Sequence, residues 1–194
     1  MTVALEAFLA DLYLAGTFEG DPEQLRGLLQ GGAVVRLSDL TLVPLAELTT
    51  GTPERSEVGS VAADEILLAA PPPDTVAQTI HKVFYPVELT VGPYEVTGQL
   101  ALLPGFDPGR ALTRPSSYFM DLRDAIVHIR PGGDGEGIDQ PYELLSVNRF
   151  AVERVVCEID VTFWFPGAEQ ELTAEEQSPR HQPSDGVEGS SPEP

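Results

Sequence analysis

Two segments of this sequence, about 85 positions apart, resemble each other, and both are rich in residues that favour β-strands. The first reads VVRLSDLTLVPL at 34–45, and the second reads YFMDLRDAIVHI at 118–129. Their alignment places Asp39 over Asp124. It also matches two downstream apolar positions, Val61 with Val147 and Ile66 with Val152. Identities are few, but the shared order over about 60 residues predicts a duplicated strand-forming unit.

The second copy reads as a series of strands. VFYPVELTV at 83–91 and YEVTGQLALL at 94–103 flank Gly92-Pro93, a pattern typical of a β-hairpin. Residues 117–129 predict a third strand, with a possible bulge near Asp121 because its apolar positions do not alternate strictly.

The rest of the second copy predicts a loop and then one or two strands. Residues 130–141 are rich in Gly, Asp and Pro, which indicates a loop. Residues 143–165 are apolar enough for one or two strands, with 148–150 as the tight turn.

The first copy predicts strands and one helix. The apolar stretch 8–18 favours a strand, although residues 3–14 also carry leucines at helical spacing, so a short helix stays open there. Asp21 can cap a helix that starts at Pro22 and stops at Gly31-Gly32.

These elements predict a mainly β chain of two β-rich repeat units with one short helix in the first. The units span 1–70 and 81–166, and a Pro-rich linker at 71–80 joins them. Residues 167–194 hold seven acidic residues and little to bury, so we expect a disordered acidic tail.

Charge and cysteine content exclude several classes of protein. The formal net charge is -20, so we expect neither nucleic-acid nor membrane partners. A lone cysteine, Cys157, excludes an intramolecular disulfide and a thiolate zinc site. The first 16 residues lack the features of a signal peptide, and we expect a cytoplasmic protein.

The second copy resembles the Sm-like small β-barrels, the family of Sm, LSm and Hfq proteins. Val96-Thr97-Gly98-Gln99-Leu100 is similar to the V-x-G-x-L of the first Sm motif, and Leu122-Arg123-Asp124-Ala125 to its L-x-D-A ending. Residues 147–155 have the spacing of the second motif, and 37–39 with 61–66 repeat the scheme in the first copy. The resemblance implies two tandem, degenerate small β-barrels packed together, related to uncharacterised bacterial proteins with the same pattern.

The resemblance does not extend to RNA binding. Leu100 and Asp124 are further apart than in the family, and Arg149 or Ala63 replaces the glycine of the second motif. The polar and basic residues that grip uridines have no matching positions. Sm-like RNA binding is therefore an alternative that the charge disfavours.

The candidate catalytic residues have simpler structural interpretations. Asp39 and Asp124 are expected at strand ends or turns, as repeat-equivalent carboxylates. The alternative is a small-ligand or metal-dependent enzyme whose site forms between the repeats from these aspartates with Arg123 and His128. The three histidines (His81, His128 and His181) lack metal-ligand spacing, and the glycine-rich run 132–137 lacks the context of a phosphate or calcium loop. We expect Cys157 to be a core residue, and we expect no enzyme activity, cofactor or metal.

Aromatic residues indicate an interaction surface instead. Adjacent side chains on a strand point to opposite faces, so Phe163, Trp164 and Phe165 should leave one large ring on a face that needs covering. We expect a protein-interaction or assembly module that presents a sheet edge or this aromatic patch to a protein partner or to a second copy.

Overall fold

The structure is a computed structural model of the 194-residue chain, and it describes residues 1–48, 51–71, 82–102, 117–130 and 137–173. Within these ranges the chain forms eleven β-strands, one α-helix and one short 3₁₀ helix at Leu45–Glu47. The elements are β1 (Thr2–Phe8), β2 (Leu12–Glu19), α1 (Pro22–Gln30), β3 (Val34–Pro44), β4 (Glu54–Ala62), β5 (Leu68–Ala70), β6 (Val83–Val91), β7 (Tyr94–Leu102), β8 (Phe119–Ile129), β9 (Ile138–Asn148), β10 (Val152–Cys157) and β11 (Glu169–Leu172).

The predicted mainly β fold with one helix in the first half is confirmed. All eleven strands of the described ranges belong to one open sheet in the order β11-β10-β6-β7-β8-β9-β5-β1-β2-β3-β4. The first five strands have the order β5-β1-β2-β3-β4, and the next five have the order β10-β6-β7-β8-β9. In each half the fifth strand therefore lies beside the first. Because the sheet is continuous and open, the pair of small barrels stays a prediction.

A short antiparallel ladder joins the two halves. In it β5 pairs with β9, with Leu68 opposite Val147 and Ala69 opposite Ser146. Asn148 extends the joint, because its side-chain amide donates to the Ile66 carbonyl at 3.0 Å. The fourth strand of the second half thus binds the fifth strand of the first.

The two halves also exchange large side chains. Phe8 of β1 is fully buried with the core residues of the second half, where its ring lies 5.5 Å from the ring of Tyr94. In the opposite direction, Phe119 of β8 is buried in the core of the first half beside α1 and β3. Each half therefore contributes a buried aromatic ring to the core of the other.

Helix α1 forms as its sequence predicts. Asp21 caps it by accepting from the Gln24 backbone N–H at 2.8 Å, and the Gln24 side chain accepts from the Asp21 N–H. Leu25 and Leu29 are buried, which fixes the face that packs on the sheet. The carbonyl of Gln30 accepts from the Tyr118 N–H at 3.2 Å, so the helix end also contacts the second half.

A β-bulge interrupts the third strand of each half at an aspartate. The register with the preceding strand shifts at Asp39 in β3 and at Asp124 in β8. The two residues have φ angles of 50° and 47°, in the left-handed region. The bulge expected near Asp121 therefore lies three residues further on.

The glycine opposite each bulge leaves space for the crowded backbone. A Cβ on Gly98 would lie 3.2 Å from the Arg123 carbonyl oxygen, and one on Gly16 would lie 3.3 Å from that of Ser38. A side chain at either position would push the bulge away from its neighbouring strand.

Several predicted boundaries are confirmed. The hairpin of β6 and β7 turns at Gly92, with a φ of 56°, and the turn after Asn148 separates β9 from β10. The N-terminal stretch is β-strand, as preferred, but a turn at residues 9–11 divides it into β1 and β2.

Other boundaries were wrong. The loop assigned to 130–141 ends earlier, because β9 begins at Ile138 and includes Pro141. Proline is tolerated there because β5 pairs with β9 only at Ser146 and Val147, so Pro141 needs hydrogen bonds on one side at most. The tail assigned to 167–194 contains β11, and the rest of it from 174 lies outside the described residues. The linker residues 72–80 also lie outside them.

Candidate interaction edge

β4 is the last strand of the sheet. Its register with β3 runs from Ala62 opposite Val34 to Glu54 opposite Leu42, and it has no strand on its other side within the described ranges. Backbone N–H and C=O groups on that side are a template for a further strand.

The other end of the sheet is formed by β11, a strand of four residues. β10 pairs on its outer side with β11 in parallel, from Arg154 opposite Glu169 to Cys157 opposite Leu172. The Arg154 guanidinium holds this edge strand through a 2.5 Å hydrogen bond to the Glu171 carboxylate. The two terminal edges of the described sheet are therefore unlike.

The side chains of β4 are mostly exposed. Arg55 and Glu57 project on one face, since they are two residues apart on a strand, and both are exposed. Val58 is 70% exposed, an unusual degree for a valine in a strand. The edge thus combines a charged pair with an apolar side chain.

An apolar groove lies beside this edge. It has a volume of about 450 Å³, and its walls include Leu28 of α1, Val34 and Leu37 of β3, and Val58 of β4. Val34 is 56% exposed. A second groove of about 330 Å³ runs past Asp39, Arg55 and Glu57. An extended segment paired with β4 would find apolar and charged surface next to its side chains.

The predicted carboxylate pair is not brought together. Asp39 lies on β3 and Asp124 on β8, and β2, β1, β5 and β9 separate these strands in the sheet. Both side chains are exposed, and the groove that includes Asp39 does not include Asp124. Their shared property is the left-handed backbone at a bulge, which fits the structural interpretation.

The other members of the proposed enzyme site have separate neighbours. The Arg123 guanidinium lies 5.9 Å from the centre of the Phe84 ring. The His128 Nδ1 lies 2.6 Å from the Asp139 carboxylate, which β9 places opposite it. In the described ranges no group of three or more His, Cys, Asp or Glu side chains is arranged to hold a metal ion. His81, His181 and residues 132–136 lie outside those ranges.

The predicted aromatic patch is corrected by the structure. Residues 162–165 form a turn rather than a strand, so the alternation argument does not apply. Trp164 is 5% exposed and Phe165 is fully buried, both in the core of the second half, with Phe163 packed against them. Neither Trp164 nor Phe165 can contact a partner protein unless this part of the chain unfolds.

Cys157 is a core residue, as expected. It is 1% exposed at the end of β10, and burial raises the pKa of its thiol. The thiolate is therefore disfavoured at neutral pH.

Sequence reasoning missed a carboxylate flanked by two tyrosines at the joint. The Tyr142 hydroxyl donates to the Glu6 carboxylate at 3.1 Å, and Tyr13 also bonds it. Burial and the Glu6 charge raise the pKa of Tyr13 to about 12 and raise the pKa of Tyr142 further. No spacing links Glu6 with Tyr142, so only the fold reveals this cluster.

Comparison of the chain with protein-family models, with curated proteins and with solved structures gave no match. None of the helices in the described part of the chain has the length and apolarity needed to cross a bilayer. The free edge of β4 is therefore the feature from which a function can be inferred.

Proposed function

We propose that this chain is a protein-interaction or assembly module without enzyme activity, and that it binds an extended protein segment on the free edge of β4. The observation that carries the proposal is that, among the residues that the structure describes, β4 is paired on one side only. A strand added there would gain main-chain hydrogen bonds, and the adjacent groove would receive alternate side chains.

The β5–β9 joint supports this role. β9 is the fourth strand of its half and binds a strand of the other half, whereas β4 is the fourth strand of the first half and has no such partner in the described part of the chain. The equivalent strand order and the bulges at Asp39 and Asp124 also support a tandem of two Sm-like units. In that view, strand addition at a fourth strand is a property of both units.

Charge supports a protein partner rather than RNA. The net charge of -20 opposes a polyanion, while strand pairing and apolar burial need no basic surface. The predicted partner is thus a protein segment with alternating apolar residues.

A peptide library displayed on phage tests the proposal with the full chain as target. Selected peptides of about nine residues, the length of β4, should share an alternating apolar pattern and slow hydrogen exchange in β4. Val58→Lys should weaken their binding about tenfold or more, because lysine on an edge strand opposes pairing. Val83→Lys, at an exposed valine of an interior strand, is the matched control and should leave binding unchanged. Selection of no peptide, or of peptides indifferent to Val58→Lys, would overturn the proposal.

A further inference from the structure

We infer that a second copy of this chain pairs with β4, forming a closed antiparallel dimer about a two-fold axis at Ser56. The inference rests on the proposed role of β4 as a docking edge, and it names the partner.

The two terminal edges of the sheet determine the symmetry of such an assembly. Head-to-tail association would pair β4 with the outer side of β11 at the far end, a strand of only four residues against nine in β4. Both terminal strands have an unpaired outer side within the described ranges, but β4 offers the longer edge, so we infer that edge pairing between copies uses β4 twice. An interface that uses the same strand on both copies is isologous and closes as a dimer.

The sequence of β4 selects one register. A two-fold axis perpendicular to the sheet places one residue opposite its own copy. With Ser56 on the axis, Arg55 lies opposite Glu57 of the second copy, and Glu57 lies opposite the second Arg55. Opposite charges directly across an antiparallel pair stabilise it.

Neighbouring registers lack this complementarity. An axis at Arg55 or at Glu57 would place like charges opposite each other, and an axis at Val58 would place Glu57 opposite Gly59. Only the Ser56 register among these forms two ion pairs.

Ser56 suits a position on the axis. Its side chain is small, and its hydroxyl already donates to the Val58 carbonyl at 3.0 Å, so it needs no partner from the second copy. Pairing in this register also covers Val58, the most exposed valine among the large exposed hydrophobic residues of the described ranges.

The charge of the whole chain sets the conditions for association. Two copies of net charge -20 repel each other at long range, but salt near 0.15 M reduces the screening length to about 8 Å. The contact pairs of Arg55 with Glu57 act over a shorter distance and survive this screening. We therefore expect dimers at physiological salt and weaker association at low salt.

Charge reversal tests the inference on the full chain by sedimentation velocity. Wild type should have the mass of a dimer, and Arg55→Glu and Glu57→Arg should each weaken association about tenfold or more, because each places like charges across the axis. An equimolar mixture of the two variants should form a heterodimer, since it restores both ion pairs, and the double variant should dimerise as wild type does. Glu143→Arg, an exposed glutamate that lies opposite Asp124 as Glu57 lies opposite Asp39, is the matched control and should leave dimerisation unchanged.

Cysteine cross-linking tests the register. Under oxidation Ser56→Cys should link two copies, whereas Val58→Cys should not, because residue 58 lies opposite residue 54. Cys157 does not compete, as it is 1% exposed. A monomeric wild type, single reversals that dimerise normally, a mixture that stays monomeric, or linkage at residue 58 in place of 56 would overturn the inference. A monomeric wild type would not affect the result of the peptide selection, so failures of the inference and of the proposed function can be distinguished.

Discussion

Asp39 and Asp124 place the same unusual backbone conformation at the same point of each half. Aspartate tolerates positive φ better than most residues because its short polar side chain can bond locally, while β-branched residues are strained there. Both side chains are exposed, so their substitution should alter the backbone preference with little effect on packing.

Substitution of either aspartate should show the cost of the left-handed backbone without a change in packing. Asp39→Val or Asp124→Val should lower the free energy of unfolding by about 1–2 kcal/mol through left-handed strain, while Asp→Gly at either site should be close to neutral. Urea denaturation measures both. Equal stability of the valine and glycine variants would show that the left-handed conformation carries no cost.

Three tyrosines that are buried or partly buried, Tyr13, Tyr94 and Tyr142, have raised pKa values. The Tyr94 hydroxyl donates to the Leu9 carbonyl at 2.5 Å, and burial raises its pKa well above the usual value, with a smaller effect from Asp11. The other two lie beside the Glu6 carboxylate, which adds to the effect of burial. All three therefore hold their protons more tightly in the folded chain than in the unfolded chain.

The tighter hold of the folded chain on these tyrosine protons predicts a loss of stability at alkaline pH. Below pH 10 the tyrosines are protonated in both states, and above it the unfolded state releases protons that the folded state retains. The free energy of unfolding should therefore fall as pH rises above 10, towards the value of about 12 to which burial and the Glu6 charge raise the pKa of Tyr13. Tyr13→Phe should reduce this slope, measured by denaturation at several pH values. An unchanged slope would contradict the assignment.

At the scale of elements, local signals were sufficient where the stabilising contacts are local. The cap at Asp21, the hairpin turn at Gly92 and the turn after Asn148 each depend on a few adjacent residues, and each was predicted correctly. β11 was assigned to a disordered tail because its sequence is polar. Its stability comes from partners elsewhere, on β10 and in residues 159–162, which no local pattern reveals.

Gln170 is the main polar anchor of β11. Its side chain accepts from the Val161 N–H at 2.9 Å and from the Thr162 N–H at 3.1 Å, and it donates to the Ile159 carbonyl at 2.6 Å. Removal of these bonds would leave part-buried backbone groups unsatisfied.

Gln170→Ala should therefore lower the free energy of unfolding by about 1–3 kcal/mol and speed exchange of the Val161 amide. Hydrogen exchange read by NMR measures the second effect. Glu169→Ala, at an exposed position of the same strand, is the control and should change neither. If the two variants behave alike, β11 is not held through Gln170.

For the whole molecule, the exchange of Phe8 and Phe119 between halves couples their stability. The Phe8 ring lies 5.2 Å from the ring of Tyr13, 5.5 Å from that of Tyr94 and 6.1 Å from that of Tyr142. Neither half retains a complete core without the other.

Phe8→Ala should destabilise the whole chain by about 3–5 kcal/mol. Calorimetry should show one cooperative transition in wild type, shifted as a unit to lower temperature in the variant. Two separate transitions, with only one shifted, would contradict the coupling.

The similarity of the two halves could be noticed in sequence through Asp39 and Asp124, whereas the joint between them could not. The β5–β9 ladder contains only two residue pairs, and its small and apolar side chains resemble any buried strand. For the aromatic residues 163–165 the sequence prediction was wrong, because it assumed the alternating side chains of a strand in a segment that folds as a turn. The free edge of β4 also depends on strand order, which periodicity does not encode.

The open edge of β4 is the feature on which the functional account depends. Hydrogen exchange of the full chain, measured over a series of protein concentrations at physiological salt, examines that edge directly. Exchange at alternate amides of residues 54–58, the part of β4 that faces its own copy in the Ser56 register, should slow as concentration rises and copies pair, while exchange in β11 stays constant. Exchange in β4 that is the same at every concentration would contradict pairing of this edge with a second copy.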